Sequence, residues 1–412
     1  MSSNPIFVVV IARHKAQLVT KGYHQVQGFD FDETFSPVVK KPTIRIILAL
    51  AAQYNWSLTQ LDVKNTFLHG IIQETVYMTQ PTGFQDKTCP NHVCLLHNSL
   101  YGLKQAPRAW FERFTSYLFT LDFVTSTADP SLFIRSVGSS LTYLLLYVDD
   151  IIVTGPDYLY ISVLKNQLAL EFKISDLGPL KYFLGLEIQS SIDGIFVIQA
   201  KYLNDLLHTS GMTSAKSCIT PMSTSLDLYT IAPPFNDPSL SRRLVGSLQY
   251  LTFTRPDIAL SVNRVIHLID VPPPASSPFS VLIQYLGLQK KQSTISRSST
   301  EAEYRSLATI TADLYWIRQL LCDLHVPLKT SPTLWCDNVS AISLAHNPVF
   351  HARTKHIEID YHFVREKVLR KDISIRYIFS NNQLADILTK PLLSPTFLHL
   401  RDKLLTQPES SV

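Results

Sequence analysis

Charge is scarce in this chain. Asp, Glu, Lys and Arg make up 17% of its 412 residues, below the roughly 25% of an average soluble domain. The formal net charge is only +4, whereas a dedicated nucleic-acid binder usually has a much stronger basic bias. Composition alone therefore gives a weak hint of an anionic partner. The five cysteines (Cys89, Cys94, Cys218, Cys322, Cys336) are odd in number and lack framework spacing, which argues against a disulfide scaffold. Cys89 and Cys94 have no second pair at zinc-ligand distance, so reduced intracellular thiols are expected. No apolar run approaches the 18 residues of a membrane span. The stretch Ile6–Ala12 is too short, and no cleavage-site pattern follows it. The chain reads as intracellular and soluble, without a membrane partner.

What is present is apolar: 46% hydrophobic and 10% aromatic residues, enough for two or three folded domains in a chain of this length. No internal repeat or low-complexity tract interrupts it. Ala232–Pro238 and Val271–Pro278 are rich in proline, which denies the backbone helix and ladder hydrogen bonds. They divide the chain into 1–230, 231–279 and 280–412. The first block mixes short strands and helices. The last opens on a long helix and alternates strand and helix signals, an α/β pattern.

The strongest local signal is Leu141–Gly155, where two apolar, β-prone runs flank the adjacent acids Asp149 and Asp150. It predicts a hairpin with the carboxylates at its turn. A turn chosen for stability favours Asn-Gly or Asp-Gly, because tight hairpin turns need positive φ. Two like charges beside an apolar ribbon raise at least one pKa unless a cation neutralises them, and a divalent metal is the obvious candidate. Upstream, Asp62 ends a short β-type run and precedes a polar turn, although an ordinary turn aspartate is the plainer reading of it alone. Three carboxylates from two strand ends suffice for two magnesium ions, one at an attacking hydroxyl and one at a leaving oxygen.

Tyr147-Val148-Asp149-Asp150 resembles the catalytic signature of reverse transcriptases. The surrounding sequence resembles the copia-type retrotransposon family over nearly the whole chain, with matches at Gly22–Gln25, Thr34–Val38, Gln60–Asn65, Phe67–Gly70, Ser99–Trp110 and Phe183–Ile188. The resemblance implies a mixed α+β and α/β protein: a palm-and-fingers domain over 1–230, a thumb or connection segment over 231–279, and a ribonuclease H-like α/β domain over 280–412. The palm is expected as a four-stranded sheet backed by helices. Asp62, Asp149 and Asp150 are implied as catalytic ligands of two Mg2+ ions, with Mn2+ as an alternative. The implied partners are an RNA template, a DNA primer and dNTPs. Cytoplasmic particles or the nucleus are the implied locations, and the oligomeric state is left open.

The resemblance also assigns nucleotide-binding roles. Phe67 matches the aromatic beneath the nucleotide sugar, whose bulk excludes a 2′-hydroxyl; a core phenylalanine is the alternative. Gln105 matches the residue near the incoming base and template. Lys173 is a candidate to approach the triphosphate, with a solvated surface lysine as the alternative. The fingers depart from the family at two points. Gln17 stands where the family has Arg, and a neutral amide cannot grip phosphate in a charged bidentate fork. Lys21 remains as a phosphate contact. The chain also begins only a few residues earlier, so Asn4–Ile11 stands where a fingers strand is expected.

In the middle segment, Ser239 or Ser241 is expected to cap a helix, and Arg242 and Arg243 are candidates for duplex phosphates, with a solvated helix start as the alternative. Farther on, Thr300 and Glu303 are spaced for a capping box. Stepping from Glu303 at helical spacing gives Leu307, Ile310, Leu314, Ile317, Leu321 and Leu324, so Glu303 heads an apolar stripe. Asp337 follows the β-type run Thr333–Cys336, and Asp386 follows the strand Ile375–Phe379. These stretches resemble the family's ribonuclease H motifs and imply Glu303, Asp337 and Asp386 as ligands of a second Mg2+ pair, with Asp360 competing with Asp386. The site needs a fourth acid, but no Asp or Glu lies between Asp270 and Glu301, and only Ser280–Gln289 stands in for the family's opening strands. Ribonuclease H activity is therefore expected to be lost. The leading expectation is an RNA-directed DNA polymerase. The rival is a catalytically silent remnant that at most binds nucleic acid.

Overall fold

A computed structural model describes residues 17–138, 140–191, 194–224, 237–268, 298–347 and 358–405. The expected strand at Asn4–Ile11, the proline-rich stretch 271–278, most of 232–238 and the segment 280–294 lie outside the described residues. By internal contacts the chain divides into two units interleaved in sequence. The first comprises Met1–Val39, Asn55–Thr125 and Pro130–Leu180; the second comprises Lys40–Tyr54, Ser126–Asp129 and Lys181–Val412. Helix α1 (Lys41–Gln53) belongs to the second.

The first unit is built on a six-stranded antiparallel sheet, where four strands were expected. Its members are β1 (Leu58–Val63), β4 (Val124–Thr125), β5 (Leu132–Val137), β6 (Ser140–Tyr147), β7 (Asp150–Thr154) and β8 (Ile174–Pro179), in the order β4-β5-β6-β7-β1-β8. The two additional strands are edges. The two-residue β4 extends one side, and β8 joins β1 through a register shift between Gln60 and Leu61. A separate hairpin pairs β2 (Ile71–Thr79) with β3 (Val93–Asn98).

Alternation along the strands sets one face of this sheet against helices. Leu61, Val63, Leu144, Leu146, Ile151 and Val153 form a core with Trp110, Phe114 and Leu118 of α2 (Ala106–Thr120) and with Ile161, Leu164, Leu168 and Phe172 of α3 (Tyr158–Phe172). Helix α2 presents these residues at spacings of four, and α3 at spacings of three and four, the period of a buried helical stripe. Each fully buried side chain contributes about 1.5–3 kcal/mol relative to exposure.

The second unit holds a three-stranded sheet, β9 (Tyr182–Phe183), β10 (Leu186–Ser191) and β11 (Gly194–Ile198), with α1 packed on β11. There follow α4 (Ala200–Thr209), α5 (Pro238–Leu251) and α6 (Ala259–Leu268). Asp237 caps α5, accepting from the backbone N–H of Ser239 and Leu240. The expected cap, Ser239 or Ser241, lies inside the helix because Pro238 already occupies its first turn.

The remaining elements are α7 (Ser299–Asp323), β12 (Thr333–Cys336), α8 (Val339–His346), α9 (Glu358–Leu369), β13 (Ser374–Tyr377), α10 (Asp386–Thr389) and α11 (Ser394–Leu405). Strands β12 and β13 pair in parallel. Helix α7 is capped two residues earlier than Thr300: Ser298 is its cap, accepting from Glu301 N–H at 3.2 Å. Ser298-x-x-Glu301 has the same spacing as Thr300-x-x-Glu303, and this register releases Glu303 from capping. The buried face of α7 is shifted from the expected stripe toward Tyr304, Ala308 and Thr311, while Leu307 stays buried and Ile310 and Leu314 pack partly buried against the same core. Tyr304, fully buried beside Tyr361, claims that face.

Candidate active site

Asp62 and Asp150 face each other across the β1–β7 ladder as direct register partners. Such Cα atoms stand about 4.5–5.5 Å apart. Leu61 and Val63 turn toward the helices, so Asp62 and Asp150 project from the opposite face. Asp149 lies in the two-residue turn between β6 and β7, whose last pair is Tyr147 with Asp150. The turn is thus Val148-Asp149, and Asp150 is the first residue of the strand rather than part of the turn. Val63 N–H donates to the Asp149 carbonyl at 2.9 Å and fixes the turn against β1.

Among the described residues, none of these three carboxylates has an ion-pair partner. Asp150 accepts from the Gln60 amide at 3.1 Å. Burial pushes the Asp150 carboxyl above the usual range, the Gln60 hydrogen bond opposes this, and repulsion from Asp149 and Asp62 adds to it. Two half-buried carboxylates, Asp62 and Asp150, beside the exposed Asp149 of the turn are the donor set a hard divalent ion requires: oxygen ligands only. The residues present fit such an ion.

The neighbouring residues are held by a crossing of two chain segments. Thr20 donates its backbone N–H and its hydroxyl to the Tyr101 carbonyl, at 2.7 and 3.0 Å. At this crossing a Cβ on Gly22 would stand 1.8 Å from the Gly102 carbonyl oxygen, and one on Gly102 would stand 2.1 Å from that of Thr20. Both positions require glycine for close approach. Phe67 meets the Tyr101 ring edge-on at 4.9 Å. The Tyr101 hydroxyl is pushed up by burial and by Asp149 and Asp62, against a hydrogen bond with the Gln17 side chain. Gln17 is therefore bonded to the tyrosine whose hydroxyl feels Asp149 and Asp62.

The other nucleotide-binding candidates are placed differently from one another. Gln105 is fully buried; its amide accepts from Gln25 and donates to the Asp30 carbonyl, both at 3.0 Å. It secures the segment 25–30 to the start of α2 rather than presenting a free amide. Lys173 is exposed, at φ +50° as the C-terminal cap of α3, and precedes Ile174, the register partner of Val63. Lys21 is exposed beside Gly22.

In the second unit, Glu303, Cys336 and Asp337 bring a carboxylate oxygen, a thiol sulfur and a carboxylate oxygen within 4.8 Å of one another. Burial pushes Glu303 up, with Asp337 and Asp386 adding to the shift and Lys390 opposing it. Burial also pushes the Cys336 thiol to about 11. Asp386 opens the four-residue α10, not the last helix, and pairs with Lys390 at 2.8 Å. Asp360 is pushed up by burial and faces Arg305 instead. Cys336 and Lys390 were not singled out from the sequence. The signals for them were the strand alternation that turns Cys336 inward and the four-residue spacing from Asp386 to Lys390.

The reverse transcriptase (RNA-dependent DNA polymerase) family matches residues 6–224, more than half of the chain. Retrovirus-related Pol polyproteins from transposons RE1 and RE2 of Arabidopsis thaliana are 41% and 40% identical over 444 aligned positions, covering 95% of this chain and 30% of each relative. The Pol polyprotein from transposon TNT 1-94 of Nicotiana tabacum is 34% identical over 440 positions, covering 92% of this chain and 33% of the relative. The chain spans about a third of the length of these relatives. An acidic trio at a Tyr-Val-Asp-Asp hairpin and this extent of similarity agree: the chain belongs to the reverse transcriptase family, within the Pol polyproteins of copia-type retrotransposons.

Proposed function

We propose that the first unit is an RNA-directed DNA polymerase, which extends a DNA primer on an RNA template with dNTPs. The observation that carries this reading is the register pairing of Asp62 with Asp150, with Asp149 in the adjoining turn and no cation among the described residues to offset them. Asp62, Asp149 and Asp150 would hold two Mg2+ ions, which when bound neutralise charge at the attacking hydroxyl and the leaving pyrophosphate. The protein's own contribution is positional. The sheet fixes two carboxylates on one face, and the turn adds the third. Phe67, braced by Tyr101, supplies bulk beside the sugar. Gln105 acts by holding the segment 25–30, and Lys21 and Lys173 offer cations at the margin. The domain scheme of 1–230, 231–279 and 280–412 and an intracellular location belong to the same proposal.

The experiment is primer extension on an RNA template with Mg2+. The chain is expected to extend the primer, and Asp149→Asn to reduce the rate by at least about 10³-fold, as losses of charge-stabilising groups do. Extension that survives in Asp149→Asn sinks the reading.

A second reading, a catalytically silent remnant, is favoured by Gln17, a neutral amide beside the site where the family carries Arg. Salt-dependent nucleic-acid binding without extension would support it. For the acidic cluster of the second unit we propose a ribonuclease H-like origin, with Glu303, Asp337 and Asp386 as the metal-binding set and catalysis lost with the fourth acid. The alignment with each Arabidopsis relative is longer than the chain, 444 positions against 412 residues, so each relative carries stretches that this chain lacks. Cleavage of an RNA–DNA hybrid that is abolished by Asp337→Asn would overturn this assignment.

A further inference from the structure

A cleft of about 520 Å³ lies in the second unit, walled by α6, the segment 218–223 and α11. That volume suits one small ligand. Its chemistry is set by one face of α6, where Ser261, Arg264 and Val265 are three and four residues apart and therefore adjacent. The Ser261 hydroxyl is buried and, among the described residues, has no hydrogen-bond partner. A helical serine usually either faces solvent or bonds back to the carbonyl four residues earlier; among the described residues this one does neither. Among the described residues, Arg264 has no carboxylate within ion-pair distance. Two unengaged donors thus converge from one helix on one cavity.

The other charges in the cleft are already matched. Arg255 grips Asp257 through two hydrogen bonds of 2.9 and 2.7 Å. Arg401 donates twice to the Asp402 carboxylate, at 3.0 and 2.7 Å. The rest of the lining includes Ile219 and Met222, together with the buried Phe397. Among the described residues the cavity therefore offers a single uncompensated guanidinium, a hydroxyl and an apolar wall.

We propose that this cleft binds one nucleotide unit of a single-stranded nucleic acid, with the phosphodiester on Arg264 and Ser261 and the base against Ile219 and Met222. A phosphodiester carries one negative charge, which one free guanidinium matches. A nucleoside triphosphate carries three or more and would leave most of them unpaired. Apolar contact with a base removes surface from water and adds affinity without sequence preference. The inference deepens the polymerase reading by giving the second unit a hold on a strand, and it rests on that reading for the choice of nucleic acid.

The test is fluorescence anisotropy of the full chain with a labelled 20-residue oligo(dT) across a salt series. Arg264→Ala is expected to weaken binding about tenfold and to flatten the salt slope by about 0.7, the value for one phosphate contact on a single strand. Arg264→Lys, which keeps charge and helix, restores the slope, and this guards against misfolding of the alanine variant. Ser261→Ala weakens binding about threefold. Binding by a folded Arg264→Ala variant within twofold of the unmodified chain, at unchanged slope, overturns the proposal. So does displacement of the oligonucleotide by dTTP at a lower concentration than by unlabelled oligo(dT), which would mark a free-nucleotide site. Primer extension is read separately: a chain that fails to extend yet shows Arg264-dependent binding keeps the cleft and loses the polymerase assignment.

Discussion

The indole N–H of Trp110 donates to the backbone carbonyl of Val148 at 2.7 Å, tying helix α2 to the turn that carries Asp149. Val148 has φ +55°, a conformation that costs a β-branched residue about 1–2 kcal/mol. The turn is held in that conformation from two sides, by Trp110 on Val148 and by Val63 on Asp149. Strain maintained in this way is a feature of functional turns.

Trp110→Phe keeps most of the buried ring and removes the donor. It is expected to lower stability by about 1 kcal/mol and to reduce kcat for primer extension more than tenfold, with a smaller change in the KM for dNTP. Urea unfolding and steady-state extension read the two effects. An unchanged kcat would show that the turn does not depend on this bond.

Val148→Gly removes the Cβ from a left-handed position. Relief of strain should exceed the added chain entropy, leaving a gain of about 0.5–1 kcal/mol. Chemical denaturation of the two proteins side by side decides this. A loss of stability would mean that Val148 contributes packing that outweighs its conformation.

Gln17→Arg places a guanidinium next to Tyr101, close to Asp62 and Asp149. A charged fork toward the triphosphate should lower the KM for dNTP by about tenfold, equivalent to roughly 1.4 kcal/mol. Extension kinetics with each dNTP measure it. An unchanged KM would exclude Gln17 from the phosphate path.

In the second unit Asp323 accepts from the Ser126 hydroxyl at 2.7 Å, the Thr127 N–H at 2.8 Å and the Ala128 N–H at 3.2 Å. Trp316 adds a bond to the Ala128 carbonyl at 2.8 Å. Burial pushes the Asp323 carboxyl up, but hydrogen bonds from Ser126, Gln319, Ala128 and Thr127 outweigh it and leave the group below the ordinary carboxylate range. A depressed folded pKa gives stability that is fully present above the unfolded value, near 3.9, and is lost as pH falls through the folded one. Asp323→Ala should therefore cost about 2 kcal/mol at neutral pH, and the difference from the unmodified chain should shrink only below about pH 4. Unfolding midpoints at pH 7, 5 and 3 check it; a difference that shrinks between pH 7 and 5 contradicts the sign.

Local pattern carried the hairpin at Tyr147–Asp150, the long helix after Ser298 and the strand before Asp337, because alternation and helical period are set by near neighbours in the chain. It did not separate Ser298-x-x-Glu301 from Thr300-x-x-Glu303, two overlapping caps of equal spacing. Nor did it orient α7, since several apolar residues compete for the buried face and the large Tyr304 ring takes it. The engagement of Gln105 with Gln25 and Asp30 was beyond any local rule.

The sequence by itself determined which acids were available and that two of them belong to one hairpin, since an apolar ribbon on each side of an acidic pair leaves few other conformations. Only the tertiary structure decided that Asp62 stands opposite Asp150, that Gln17 reaches Tyr101, and that Cys336 joins Glu303 and Asp337. Those relations depend on strand register and on packing between segments distant in the chain. Register is fixed by which side chains are buried together, a property of the assembled core and not of any one stretch.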